Sequence, residues 1–580
     1  MIPVTFSNCF GYLHPATGSH GIVMCSAIGY EELGTHRSWY ELSTKFADSN
    51  FPTLRFDYHG VNDSLGSEDD ADRVKMWISS VIEAVDFLRT TTGVKKITLV
   101  GLRLGATLAS IAATCLRDID HLVLLAPVVT GRGYIRELKL VADVWWNVFL
   151  PGVKKLDSDQ YLDVIGTRWF KSTLDDLNAI DLRKTTIQPA KQVLILDAGR
   201  RSDVSKFVEK LKSLEVQVQT EVFINYNEFM MDSVLSQTPH LAFLTVLEWV
   251  KTRTNNIAIN EPIETPSPLL KFKYGSEYPV KFGPDQKLLG IITTPLKPST
   301  NNLAVIVLNT GPNHHVGNGR LSVLVARQLA QWGVTTLRFD LSGIGDSESL
   351  PDRPGSLYSL EACDDVSAAI QLLESLNKNK NRPIVLLGLC SGAYLALHSA
   401  LREVKISGAV IVNLQKFIWK EGISLQVGGK NTKRSMKFYL KSVTRRSTWI
   451  RVWQGNANLL DTLQVLLKRP ARKLQTYYFK VANSSNQNNL SPTREVKKWI
   501  DKLNEKDKRV CLWYSEDDPG LIELFQYFGT NAKYLQKFAN IQFDVLSQAD
   551  HSLNHHQSRI EFLEKFKQYL QTEFNITKTS

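Results

Sequence analysis

One pattern occurs twice in this chain, and the repetition constrains the fold more than composition can. Leu54-Arg55-Phe56-Asp57-Tyr58-His59-Gly60-Val61-Asn62-Asp63-Ser64 returns as Leu337-Arg338-Phe339-Asp340-Leu341-Ser342-Gly343-Ile344-Gly345-Asp346-Ser347. The shared letters are L-R-F-D-x-x-G-x-x-D-S. Upstream of each copy lies an apolar strand ending in glycine, Gly21 to Gly29 and Leu303 to Gly311, then a helical stretch with Arg37 or Arg320 at the same offset. Downstream, Gly101-Leu102-Arg103-Leu104-Gly105-Ala106 aligns with Gly388-Leu389-Cys390-Ser391-Gly392-Ala393. The expectation is two tandem copies of one fold.

Each copy alternates strand and helix, which implies a mostly parallel sheet covered on both faces. Strand candidates in the first copy are 21–25, 53–57, 96–100, 121–125, 192–197 and 219–224. In the second they are 303–308, 335–340, 384–387, 408–412, 510–514 and 541–546, preceded by a hairpin of 277–282 and 287–293 that turns at Gly283-Pro284-Asp285. The 580-residue length suits two or three domains of roughly 150 to 250 residues. Thr252 to Pro268 holds Pro262, Pro266 and Pro268 among polar residues and reads as an extended linker. The expected division is 1–252, a linker 253–268, and 269–580. Inserted caps are expected at about Thr130 to Leu182 and at 415–491.

The run Ile384-Val385-Leu386-Leu387 enters a sharp turn whose tip is Cys390, with small residues at Gly388 and Gly392 and helix formers after it. A strand, a tight turn and a helix hold the tip residue in strained geometry, so its neighbours must be small. Cys390 is therefore the candidate nucleophile, and Ser391 stands one place too late for that role. A base and an acid must come later in the chain. His551, in Gln548-Ala549-Asp550-His551-Ser552, follows the last strand candidate, whereas His555 and His556 lie further into the next helix. After 510–514, Ser515-Glu516-Asp517-Asp518-Pro519-Gly520 offers the acid: Asp518 is favoured and Asp517 is the alternative. An oxyanion would meet the backbone N–H of Ser391 and one from Asn309-Thr310-Gly311-Pro312-Asn313. Pro312 has none, which leaves Gly311 or Asn313, with Asn313 preferred. His314-His315 has no matching carboxylate spacing, so no metal or cofactor is expected.

The first copy lacks this chemistry. Its turn carries Arg103, a permanently charged guanidinium that cannot act as a nucleophile. Where a histidine is due, the chain reads Asn225-Tyr226-Asn227-Glu228-Phe229-Met230-Met231, and His240 falls in the following helix. Asp197 and Asp203 have no base to orient. The first copy is expected to be catalytically dead, with Arg103 retaining a capacity for anions.

Hydrophobic residues at 43% and charged residues at 22% describe globular protein with ample core. The start, Met1-Ile2-Pro3-Val4, lacks a signal-peptide pattern, and no apolar run reaches a membrane-spanning length. The six cysteines form no C-x-x-C pair or disulfide-like spacing, so a reducing cytoplasm is the expected compartment. Net charge is +11, without an aromatic-basic module or zinc spacing, and no nucleic-acid partner is expected. The surplus gathers in the second cap, where Lys433, Arg434, Lys437, Lys441, Arg445, Arg446, Arg451, Lys468, Arg469 and Arg472 face only Asp461, with Trp449 and Trp453 on one helical face. Such a run is a solvated face or an electrostatic dock for an acidic partner.

At these residues the chain resembles the α/β-hydrolase superfamily, and both copies look like the serine-aminopeptidase-like branch that includes exosortase-associated hydrolases. The Gly388-x-Cys390-x-Gly392 box is similar to those of polyhydroxyalkanoate synthases and dienelactone hydrolases, and Cys-dependent acyl-CoA N-acyltransferases share the superfamily. The resemblance implies thioester or activated-ester chemistry. The expected activity is transfer of an acyl group from acyl-CoA or an acyl carrier protein to a small-molecule acceptor through a Cys390 thioester. A Cys-dependent thioesterase or esterase is the alternative, and a non-catalytic binding protein the second. The basic cap would recruit the donor, with peripheral contact to an anionic membrane as a further option.

Overall fold

The computed structural model describes residues 1–149, 159–199, 202–258, 265–300, 302–350, 357–376, 382–420 and 492–576. The first half forms β1 (Ile2–Phe6), β2 (Cys9–His14), β3 (His20–Cys25), β4 (Thr53–Phe56), β5 (Lys96–Leu102), β6 (His121–Leu125), a separate hairpin of β7 (Tyr161–Val164) and β8 (Thr167–Phe170), β9 (Gln192–Asp197) and β10 (Gln217–Val222). Its sheet runs β1-β2-β4-β3-β5-β6-β9-β10. The second half forms β11 (Leu270–Phe272), β12 (Gly275–Phe282), β13 (Leu288–Pro295), β14 (Ala304–Val307), β15 (Thr335–Asp340), β16 (Ile384–Leu389), β17 (Ile406–Val412), β18 (Arg509–Ser515) and β19 (Ile541–Leu546), in the order β11-β12-β13-β15-β14-β16-β17-β18-β19. Apart from the extra edge strand β11, the two orders are the same. Within the two main sheets the strands β3 to β6, β9 and β10, and β14 to β19, pair with one another in parallel, whereas the leading hairpins are antiparallel and join β4 and β15 antiparallel.

Burial follows the two-residue period of a strand. Ile97 and Leu99 of β5 enter the core on one face of the first sheet, while Val100 and Leu102 enter the other. In β16, Ile384 and Leu386 face one core and Val385, Leu387 and Leu389 the other. Both faces are covered by helices, which is why these runs are continuously apolar.

The structure adds to two expectations, and part of a third lies outside the described residues. The first half also begins with a hairpin: Ser7 (φ 44°) and Asn8 (φ 68°) form a two-residue turn in the left-handed region between β1 and β2, the backbone that suits a right-handed strand twist. Linker residues near Ile257 are pinned to the first half, since Ser19 N donates to Ile257 O at 2.8 Å and Asn256 Nδ2 donates to Asn50 O at 2.7 Å. Of the second cap, the stretch 421–491, with its basic cluster, Trp449 and Trp453, lies outside the described residues.

The repeated pattern lies at the seam between the halves, and each half uses it to hold the other. Arg338 NH1 meets Asp63 Oδ1 at 2.6 Å, and Arg55 NH2 meets Asp346 Oδ1 at 2.8 Å. Arg37 donates to Gly345 O and Ser347 O, each at 2.9 Å, and Arg320 donates to Asn62 O at 2.8 Å and Ser64 O at 2.9 Å. The remaining letters shape the loop that presents these groups. Ser64 Oγ and Ser347 Oγ donate back to the carbonyls of Asp57 and Asp340, and Gly60 (φ 68°) and Gly343 (φ 75°) make the turn. Two histidines complete the network. His315 lies between Asp340 at 2.8 Å and Asp63 at 2.7 Å, and His36 between Glu32 at 2.7 Å and Asp346 at 3.0 Å.

Arg338 is fully buried and also meets Glu277 at 3.2 Å. Replacing Arg338 with Ala removes one of the two cationic partners of each of two buried carboxylates, since Asp63 keeps His315 and Glu277 keeps Arg327; a loss of about 3 kcal/mol is expected, read as a lowered urea midpoint at unchanged m. The seam also titrates. Burial alone would lower His36, but Asp346 and Glu32 overcome it and raise the imidazole from 6.5 to about 10. A folded value above the unfolded one gives stability that is complete below pH about 6.5 and drains as pH rises towards 10. The urea midpoint is therefore expected to fall across that window, and His36→Gln to flatten the fall.

Candidate active site

Cys390 stands at the end of β16 with φ 58° and ψ −114°, immediately before the helix Ser391–Arg402. A side chain at Gly388 would meet Gly392 O at 2.0 Å, and one at Gly392 would meet Asn309 O at 2.5 Å. The flanking glycines are thus required by close backbone approach, and the tip residue carries the strain.

Asp518 and His551 come to this tip from the ends of β18 and β19. His551 Nδ1 is hydrogen-bonded to Asp518 Oδ2, His551 Nε2 lies 3.3 Å from Gln415 Nε2, and the imidazole acts on the Cys390 thiol electrostatically. Asp518 is buried and its other oxygen accepts Gly520 N at 2.7 Å, at the opening of the helix Gly520–Phe528. The alternative acid, Asp517, is exposed. Burial works to raise the Cys390 thiol, yet the facing His551, the Tyr358 hydroxyl and the Ser391 N–H bring it below its ordinary value. Burial works to lower His551, yet the Cys390 thiolate and the Asp518 carboxylate hold it well above the usual imidazole range. The electrostatics favour a thiolate beside an imidazolium.

Two residues that the sequence reading did not single out support this arrangement. Asn413, at φ 53° just after β17, donates to His551 O at 2.7 Å and to Ser515 Oγ at 2.9 Å, and accepts Ser515 N at 2.7 Å. It fastens the histidine loop to the sheet. Tyr358 places its hydroxyl 3.8 Å from Cys390 Sγ. Burial and the thiolate charge raise the phenol, so it stays a proton donor. Its ring stacks on Trp419 at 4.4 Å and meets Tyr394 at 5.3 Å, starting an aromatic row that continues to His398. The signal for Asn413 was an asparagine at a strand end. Tyr358 sits in a loop far from any motif and gave none.

The oxyanion assignment changes in part. The Ser391 N–H helps to lower the Cys390 thiol. Asn313 N is engaged in a turn with Thr310 O at 3.3 Å, and its side chain binds Asn318, so Asn313 is no free donor. Gly311 N donates to Ser391 Oγ at 2.9 Å. The short turn closes on itself and satisfies these amides locally, which leaves the Tyr358 hydroxyl as the second group aimed at the reacting atom.

In the first half, Arg103 adopts almost the same backbone, φ 54° and ψ −119°. Its guanidinium is held by Glu31 at 2.9 Å and Glu137 at 2.6 Å. Two carboxylates therefore neutralise it, and the expected anion capacity of Arg103 is not supported. Where Asn413 clamps the second half, the first has Ala126 (φ 45°), with no side chain to do so. Asp203 pairs with Arg183 at 2.7 Å, and Asp197 accepts Gly199 N at 3.0 Å.

His555 packs against Trp146 of the first half, and His556 lies 3.2 Å from Arg168, so both belong to the seam. Although the sequence puts no carboxylate beside His314-His315, the fold brings in Glu32, Asp63 and Asp340. Two buried groups, Glu32-His36-His314 and His315-Asp340-Asp346, are of metal-ligand type. Both ring nitrogens of His36 and both of His315 already sit on carboxylates, which reads as an ion-pair network. No described helix is long and apolar enough to cross a membrane.

Iodoacetamide is expected to modify Cys390 ahead of the exposed Cys115, with a rate that falls only as pH drops through the depressed thiol value. Cys9, raised to about 11 by burial, stays inert. Tyr358→Phe removes a hydrogen bond that favours the thiolate, so the midpoint of the alkylation profile moves to higher pH and the neutral-pH rate drops about 3–10-fold, half a pKa unit or more. His551→Ala slows it further.

Residues 314–564, less than half of the chain, match the model of the Alpha/beta hydrolase family. No curated protein matches the chain. Among solved structures, Est1E from Butyrivibrio proteoclasticus with ferulic acid bound is 16% identical over 44% of this chain and 99% of its own, with a TM-score of 0.32. An esterase of Pyrococcus furiosus is 15% identical over 51% and 90%, with a TM-score of 0.31. Proline iminopeptidase of Mycobacterium smegmatis is 17% identical over 50% and 97%, with a TM-score of 0.30. The stretch similar to the Alpha/beta hydrolase family spans the elements that carry Cys390, Asp518 and His551.

Proposed function

We propose that the second half is a Cys-dependent acyltransferase that takes an acyl group from a CoA- or carrier-protein-bound donor and passes it to a small-molecule acceptor. One observation carries the reading: the thiol at the strained tip faces an imidazole that is in turn oriented by a buried carboxylate. In the proposed cycle His551 Nε2 takes the Cys390 proton, and Asp518 stabilises the resulting imidazolium. The thiolate attacks the donor carbonyl, and the oxyanion is met by the Ser391 N–H and the Tyr358 hydroxyl. Collapse expels the donor thiolate, which takes the proton from His551. The acceptor then loses a proton to His551 and attacks the Cys390 thioester, which releases Cys390 as thiolate to recover that proton.

Thioester exchange between donor and Cys390 involves little change in bond energy, and the intermediate stays reactive towards amines and alcohols, which suits transfer. The Tyr358, Trp419 and Tyr394 rings give the acyl group an apolar wall beside the nucleophile. Hydrolysis of a thioester or ester is the second reading, favoured by the match of residues 314–564 to a hydrolase family. The first half serves as a structural partner. Val234 lies 4.0 Å from where a methyl on Gly311 would stand, at the rim of the site.

Intact-mass spectrometry after incubation with an acyl-CoA is expected to show one acyl adduct, absent from Cys390→Ala. Adding amine or alcohol acceptors should discharge it faster. Release of free acid at one rate whatever the acceptor would make the enzyme a hydrolase, and an adduct that persists in Cys390→Ala would remove Cys390 from the mechanism.

A further inference from the structure

A cleft between the halves is lined by Arg73, Arg320, Glu68, Glu32, Thr167 and the backbone around Gly29 and Gly317. Arg73 is unusual among the described residues. It is 2% exposed, its Nε has no partner, and it makes no hydrogen bond and no ion pair; its guanidinium lies over the face of Trp77 at 4.7 Å, and Glu68, Asp70 and Asp69 act on it only through space. Other seam arginines with an unpartnered Nε, Arg338 and Arg559, bond through their terminal nitrogens. A buried guanidinium with no carboxylate in direct contact and no hydrogen-bond acceptor is disfavoured.

The surroundings add to the deficit. Arg73 opens the helix Arg73–Thr92, whose first turn has no acidic residue and whose cap makes no side-chain hydrogen bond, so a positive side chain sits on the positive end of a helix dipole. Arg320 is buried too, bonded only to carbonyls, and burial with the nearby Arg327 and Arg73 charges lowers it to about 9. The two carboxylates of the cleft are already occupied: Glu68 by Arg168 N at 3.3 Å and Nε at 2.9 Å, Glu32 by His36 and His314. The Thr167 hydroxyl makes no hydrogen bond among the described residues.

We propose that this cleft binds a small oxyanion of the phosphate class, held by the Arg73 guanidinium and the Thr167 hydroxyl in the field of Arg320. The anion cross-links the halves, because Arg73 and Thr167 come from the first and Arg320 from the second. The site is independent of Cys390 and of the basic cap.

Thermal unfolding of the full chain at constant ionic strength, with sodium chloride replaced by inorganic phosphate, tests it. A saturable rise in Tm of about 2 °C or more is expected, with sulfate acting likewise. A glycerol phosphate arm separates the sources: an equal rise admits phosphate esters, and no rise restricts the site to the free anion. Arg73→Gln should lose the response while keeping all cap charges. Should Arg73→Gln not fold, Thr167→Val, which removes a hydroxyl without partners, is expected to weaken the phosphate midpoint several-fold at unchanged Tm without phosphate. The proposal is overturned by no rise in the wild type, by an equal rise in Arg73→Gln, or by an unchanged midpoint in Thr167→Val.

Discussion

The exchange of Arg338 with Asp63, and of Arg55 with Asp346, is the constraint on which the molecule depends. Buried ion pairs are weak sources of net stability but strong sources of specificity, because any other docking would strand the same charges in a low dielectric. Here each half offers one cation and one anion from equivalent positions and receives the opposite pair in return. That reciprocity is the signature of an isologous two-fold interface, realised within a single chain. The repeated letters that first define two copies are therefore the letters by which the copies meet. His36 and His315 bind the same carboxylates and bring a proton-dependent component into the seam.

The two turns show how far backbone geometry can be separated from chemistry. Cys390 and Arg103 share nearly the same dihedral angles, since in both copies glycines permit the strand and helix backbones to approach. In the first half a Cβ at Gly105 would meet Ser26 O at 2.1 Å. The strain persists in the first half without a nucleophile, so it follows from packing a helix against the strand end. Among the described residues the second half adds a further layer around its tip: Asp518 held by a helix opening, His551 tethered by Asn413, and Tyr358 beside the thiol. Arg103 instead fills the equivalent place with a salt-bridged guanidinium.

Much of this was legible from sequence because it rests on local rules. Apolar runs of β16 and β5 and the glycines around each tip follow from steric or periodic requirements within a few residues, whereas the order of Cys390, Asp518 and His551 was read from the resemblance. Asp518 over Asp517 was a matter of position in a turn, and burial distinguishes them in space. What stayed hidden depends on contacts between distant segments. Tyr358 reaches Cys390 from a loop with no motif, Glu32 and Asp63 reach His314 and His315 from the other half, and Asn313 lost its N–H to a turn too short to read. The hairpin β1–β2 was missed because Ser7-Asn8 is a weaker turn signal than Gly283-Pro284-Asp285.

Because the chain runs through residues near Ile257 that are fastened to the first half, the two sides of the seam are never independent molecules. Docking becomes a first-order event governed by an effective concentration that the tether sets, commonly in the millimolar range for short connections. An ordinary two-fold dimer with this many desolvated charges would come apart on dilution and take the catalytic geometry with it. This chain carries its partner covalently, so the geometry around Cys390 does not depend on how many copies the cell holds, and one copy of the interface is free to diverge in chemistry while the other keeps the fold together.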